Sequence, residues 1–176
     1  AFAAAKDAGR KGAERGERLL VAEALLRQSR ALLLLGRYEA SEESAKGARA
    51  IYVSLKHPIG VLEAEQRLGL ALFAFGRLEE AIAHYQAGLR KARELGSRAH
   101  EVSSLAGLGE TYIQRGDVAE AEQSFRAALE GARAVGNRRM TAAAEANLAA
   151  VLELRGELAA AKEGYASSQR LFEEIG

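Results

Sequence analysis

The side chains best suited to chemistry in this sequence are three histidines, several paired carboxylates and a group of arginines in the first half. Two histidines that grip a metal from one helix face need an i, i+4 spacing. His57, His84 and His100 stand 27 and 16 residues apart. His57 opens a helical stretch, His84 adjoins the apolar position of Tyr85, and His100 falls in a first helical turn, so no metal or catalytic role is expected of them. Carboxylate pairs such as Glu42-Glu43, Glu79-Glu80 and Glu173-Glu174 serve acid–base chemistry only when a pocket holds them against a substrate. Each pair lies on the outer face of an amphipathic helix and reads as solvated surface. The chain has no cysteine, which removes thiolate metal sites, cysteine nucleophiles and disulfides. Phosphate-cradling glycines come in clustered motifs, whereas the glycines here occur singly at helix ends. Neither an enzyme nor a cofactor is expected. What remains is the group of arginines Arg27, Arg30 and Arg67, whose guanidinium forks can meet acidic groups.

The elements that must position those arginines follow from a period. Gly36, Gly76, Gly116 and Gly156 form one column with a spacing of 40, and Gly16, Gly96, Gly136 and Gly176 form a second. A fixed period of roughly 20–50 residues marks a stacked-repeat protein. Each unit reads as helix A, a tight turn and helix B. In the third unit Val102, Leu105, Leu108, Gly109 and Tyr112 share one face of helix A. Helix B carries Val118, Ala121, Phe125, Ala128, Ala132 and Val135 as an apolar stripe. Gly116 is placed to close helix A with a positive φ, and Asp117 with Glu120 to cap helix B. The joints from B to the next A read Gly96-Ser97, Gly136-Asn137 and Lys56-His57-Pro58, with Pro58 suited to the first helical position. Arg90, Lys91 and Arg93 suit the negative end of their helix.

Adding 80 to Arg10-Lys11 and Gly16 brings them onto Arg90-Lys91 and Gly96. Residues 1–16 are therefore expected to be helix B of an incomplete repeat, followed by repeats at 17–56, 57–96, 97–136 and 137–176. Nine helices result, in what reads as a piece of a longer chain. Hydrophobic residues make up 48% of the sequence, but much of that is alanine, the best helix former. A net charge of +1 gives no electrostatic case for nucleic acid or an anionic membrane. The longest run of large apolar residues, Leu32 to Leu35, is far short of the roughly 20 residues that span a bilayer. The start, Ala1-Phe2-Ala3-Ala4-Ala5, has no basic leader, and a cytoplasmic location is the expectation.

Leu108, Gly109, Tyr112, Gly116, Ala121, Phe125 and Ala128 together resemble the tetratricopeptide repeat in residue type and order. Leu68, Gly69, Leu72, Gly76, Ala81, Tyr85 and Gly88 follow the same pattern in part. So do Leu148, Ala149, Leu152, Gly156, Ala161, Tyr165 and Ser168. The first unit is the weakest, with Gln28, Ser29, Leu32, Gly36, Ser41, Ala45 and Ala48. The family's tryptophan position holds Leu25, Glu65, Leu105 and Glu145, its late proline is absent, and the unit exceeds the usual 34 residues. This longer form resembles repeats in the sensor regions of large bacterial regulators, and also those of eukaryotic adaptors and motor light chains. The alanine- and arginine-rich wording at Glu130–Arg138 favours the bacterial group.

The resemblance implies an all-α fold, a right-handed α-solenoid of stacked antiparallel helix pairs. It also implies a non-catalytic module that binds a protein or peptide in a concave groove lined by the A helices. At the first unit the matching wall positions include Arg27, Arg30 and Leu33. The second unit supplies Glu63, Gln66, Arg67, Leu70 and Phe73, the third Glu110 and Gln114, and the fourth Asn147. Phe73, Leu70 and Leu33 would anchor apolar groups, the three arginines would meet acidic ones, and Asn147 and Gln66 would hold a peptide backbone. Two-helix repeats that read RNA need a strongly positive wall, which Glu23, Glu63, Glu110 and Glu153 oppose. Self-association through Leu171, Phe172 and Ile175 on the last helix is the alternative, because solenoid ends call for covering.

Overall fold

A computed structural model describes the backbone of residues 2–175 and the side chains of residues 10–175. It contains α1 (Phe2–Leu34), α2 (Tyr38–Ser54), α3 (Pro58–Ala74), α4 (Leu78–Glu94), α5 (Arg98–Arg115), α6 (Val118–Val135), α7 (Arg138–Leu154) and α8 (Leu158–Ile175). Among the described residues there is no strand. Each helix packs on the next in sequence. In addition α1 touches α3, α3 touches α5 and α5 touches α7, whereas the even-numbered helices do not meet one another among the described residues. Helices that reach their second neighbour lie on the tighter side of a curved stack. The odd-numbered helices therefore form the inner wall of the solenoid, and the even-numbered ones its outer layer.

The turns follow the glycine columns. Gly36, Gly76, Gly96, Gly116, Gly136 and Gly156 all take φ between +64° and +94°, a region where glycine avoids the Cβ clash of other residues. At the one joint without glycine, Lys56 adopts φ +50° instead. Pro58 begins α3, and the His57 ring accepts the Gly60 N–H at 3.0 Å. Asn137 caps α7 by accepting from the Met140 N–H at 3.1 Å.

Three local expectations need correction. Gly16 does not break the chain: α1 runs through it, giving eight helices among the described residues where nine were expected. A glycine inside a helix costs only about 1 kcal/mol against alanine, so it permits a turn without enforcing one. Asp117 makes no side-chain cap, because its carboxylate is held by Arg115. Glu42 is not solvated surface. It is buried and receives Lys46 at 2.9 Å and Arg77 at 2.7 Å, the latter from the α3–α4 turn of the next repeat. Helical periodicity sees one helix at a time and cannot register a neighbour arriving over it.

Alanine occupies the closest helix contacts, with Ala48, Ala81, Ala92, Ala121, Ala128 and Ala132 fully buried. Between them the outer helices send aromatic rings into notches left by glycine on the inner ones. A Cβ at Gly69 would lie 2.9 Å from the Tyr85 ring, and one at Gly109 would lie 2.5 Å from the Phe125 ring. On α8, Leu171 is half-buried while Phe172 and Ile175 are 41% and 39% exposed.

Charge also crosses between helices. The buried Glu65 of α3 accepts from Arg49 Nε of α2 at 2.5 Å and from His84 Nδ1 of α4 at 2.7 Å. Glu122 is likewise buried and held by Arg126 and by Arg155 from the following repeat. Burial works against the Glu65 charge, but hydrogen bonds from His84 and Arg49 outweigh it and keep the carboxyl below its ordinary range. A carboxyl depressed in the fold contributes stability that is complete above its unfolded value, about 4.3, and is lost as pH falls through the folded one.

Two measurements test this packing. Gly109→Val is expected to lower stability by roughly 1–3 kcal/mol through overpacking against Phe125, read from urea unfolding. Glu65→Gln is expected to cost roughly 1–3 kcal/mol near neutral pH. That difference from the wild type should shrink below about pH 4 as the wild-type carboxyl takes up its proton.

Candidate functional site

The inner wall carries two adjoining recesses of about 530 Å³ each. The first opens between α1, α3 and α5 and is lined by Leu26, Glu63, Gln66, Arg67, Leu70, Tyr85, Ser103, Ala106, Gly107 and Glu110. The second opens between α3, α5 and α7 and is mostly apolar, with Phe73, Ile113, Phe125 and Ala150 beside Gln114 and Asn147. Glu110 borders both. A shallower depression of about 390 Å³ continues toward α1 and includes Glu23, Arg27 and Glu63.

The wall therefore unites most of the residues picked out by periodicity. Glu63, Gln66, Arg67, Leu70 and Glu110 share the first recess, and Phe73, Gln114 and Asn147 share the second. Arg30 and Leu33 line neither, although Arg30 is near enough to act on the charge of Arg67. Arg27 is engaged at home, donating to Glu23 one turn earlier at 3.4 Å. Gln66 is engaged too: its Nε2 donates to the His100 carbonyl and to Ser104 Oγ, both at 2.8 Å, and ties α3 to α5. Asn147 forms no hydrogen bond among the described residues, so its amide faces the apolar recess uncommitted.

Arg67 is in a different state from the other arginines. Its Nε is enclosed and has no hydrogen-bond partner, and it forms no ion pair among the described residues. Burial depresses its pKa, and the nearby positive charge of Arg30 adds to that effect. Glu110 is solvent-reachable, yet the surrounding wall displaces enough water to raise its carboxyl above the ordinary range. The Tyr85 hydroxyl is pushed up by burial and then by the Glu110 charge, with Arg67 acting in the opposite sense. The three histidines all have structural employment: His57 caps α3, His84 serves Glu65, and His100 Nδ1 lies 2.8 Å from Ser97 Oγ.

The tetratricopeptide repeat profile matches residues 60–134 and 101–174, well over half of the chain. This chain belongs to the tetratricopeptide repeat family. As such it is a protein-interaction module. Aspartyl phosphate phosphatase F from Bacillus subtilis has the same fold, with a TM-score of 0.82 at 17% identity over 90% of this chain and 42% of that one. A Rap protein complexed with Competence and Sporulation Factor gives 0.82 at 20% identity, over 89% of this chain and 44% of that one. BtubC (BKLC) from P. vanneervenii gives 0.78 at 18% identity, over 89% and 65%. The chain thus spans less than half the length of the first two and about two thirds of the third. A search of curated protein sequences finds no match. Among the described residues no helix of this tetratricopeptide repeat protein is long and apolar enough to cross a membrane.

Two contributors to the wall escaped the sequence reading, which assigned Tyr85 and Phe125 to the outer helices and the core. Their rings pass between the inner helices at glycine. A Cβ at Gly107 would lie 2.4 Å from Tyr85, and one at Gly109 would lie 2.5 Å from Phe125. The glycines at 69, 107 and 109 were the available signal. A desolvated cation without a partner weakens a fold. Arg67→Met is therefore expected to melt no lower than the wild type, and a fall in Tm of several degrees would show that Arg67 serves the fold after all.

Proposed function

We propose that the concave wall binds a peptide segment of a partner protein, laid across α3, α5 and α7, and that the module serves in a bacterial signalling or regulatory protein. The observation that carries this reading is the pair of adjoining recesses in which Arg67 Nε and the Asn147 amide have no partner among the described residues. Buried polar groups are ordinarily satisfied, so the enclosed Arg67 Nε reads as a group held open for a ligand, and the half-buried Asn147 amide stands uncommitted in the second recess. Phe73 and Leu70 offer apolar anchorage, Arg67 with Arg30 nearby receives an acidic group, and the Asn147 amide pairs with peptide backbone. The Gln66 amide nitrogen drops out of the binding set because it is already engaged, whereas Arg27, 83% exposed in its surface pair with Glu23, stays available at the α1 end of the wall. The bacterial setting is supported by the alanine- and arginine-rich wording of the repeats. That a neighbour of the same fold was solved with Competence and Sporulation Factor supports ligand binding by such a stack.

Panning the chain against a phage-displayed heptapeptide library tests the reading. Enriched peptides are expected whose binding falls at least roughly tenfold in Phe73→Asp, about 1.4 kcal/mol, measured well below that variant's melt because Phe73 also packs against the core. Absence of enrichment, or enriched peptides indifferent to Phe73→Asp and Asn147→Ala alike, would overturn the groove.

A further inference from the structure

The first recess holds two opposite charges that do not satisfy each other. Arg67 reaches it from α3 with an enclosed, unpartnered Nε and no ion pair among the described residues. Glu110 reaches it from α5, likewise without an ion pair among the described residues. Elsewhere the protein brings its partly buried charges together across helices: Arg49 meets Glu65 at 2.5 Å and Arg77 meets Glu42 at 2.7 Å. Here it keeps them apart. Tyr85 lines the same recess, its hydroxyl feeling the Glu110 charge in one sense and the Arg67 charge in the other. Its ring occupies the space that side chains at Gly69 and Gly107 would need, which fixes it in place. The Tyr85 hydroxyl itself has no hydrogen-bond partner among the described residues.

Two separated and partly desolvated charges cost the empty protein free energy that a ligand can return. A purely acidic ligand would answer Arg67 but would be set against Glu110 and Glu63. A purely basic one would be set against Arg67. A ligand carrying both signs answers both, with a carboxylate on the Arg67 fork and a cation on Glu110. The geometry points to selection for a segment with one acidic and one basic group, the acid toward α3 and the base toward α5, in the recess that Tyr85 also lines. This rests on the groove reading above and adds the charge pattern of the ligand, with its order along the wall.

The same heptapeptide library, panned separately on the wild-type chain, Arg67→Met, Glu110→Gln and the swapped double variant Arg67→Glu/Glu110→Arg, tests it. All four proteins are first checked by far-UV circular dichroism and thermal melting, and a variant that fails to fold is replaced by Arg67→Gln or Glu110→Ala. Wild-type peptides are expected to carry one acidic and one basic group, the N-terminal ammonium included. Each single variant is expected to bind them at least roughly tenfold more weakly, from loss of a charge-assisted hydrogen bond. The swapped variant is expected to select the two charges in reversed order. Wild-type peptides of a single charge sign, or peptides bound equally by wild type, Arg67→Met and Glu110→Gln, would overturn this inference while leaving the groove intact. No enrichment on the wild type would remove both. Comparing a selected peptide free in solution with the same sequence inserted in a rigid carrier loop then separates a free peptide ligand from a segment of a folded partner.

Discussion

The Tyr85 ring lying across Gly69 and Gly107 joins the two halves of this structure, its packing and its wall. Outer helices of a curved stack are ordinarily screened from the inner face by the helices in front of them. A ring passes only where those helices carry no side chain, and the glycines provide that gap. Phe125 repeats the arrangement over Gly109 one unit later. The consequence is that the floor of the groove is made by the layer behind it, so the spacing of neighbouring repeats and the shape of the recesses are set by the same contacts. In a stack where stability is shared between neighbours, such contacts couple the wall to the fold directly.

Electrostatics divides along the same surface. Between repeats, Glu42, Glu65 and Glu122 are buried and each is met by cations from two sides. A buried carboxylate with full partnership holds helices in register, while one stripped of a partner would be costly. On the inner wall Arg67 is desolvated without a partner, Glu110 loses water without gaining a cation, and Asn147 keeps a free amide. Outside it, Glu122 Oε1 and Glu145 Oε2 are also enclosed without a hydrogen bond, but each of these carboxylates has an arginine as ion-pair partner. Polar groups that a fold leaves unsatisfied are where it gives up stability, and places of that kind are commonly reserved for function.

Much of this was legible one residue at a time. The columns at Gly36 and Gly96 located six turns with positive φ, the Leu108-Gly109-Tyr112 pattern separated inner from outer helices, and positions counted along helix A found most of the wall. The failures share a cause. Gly16 sits in a glycine column yet stays helical, because glycine permits a turn without requiring one. Asp117 has the right type for a cap but finds Arg115 first. Glu42 lies on the polar side of its own helix and is buried by an arginine from the next repeat.

The order of elements, their turns and the face each presents are local properties, governed by backbone conformation and by apolar periodicity within some twenty residues, so the amino-acid sequence alone determined them. Which charges meet is a different kind of quantity. It depends on the distance between side chains that are a repeat or more apart in the chain, and that distance exists only once helices have been stacked at a particular curvature. Only the tertiary structure therefore decided that Arg77 reaches back to Glu42, that Gln66 braces α5, and that Arg67, Tyr85 and Glu110 line one recess.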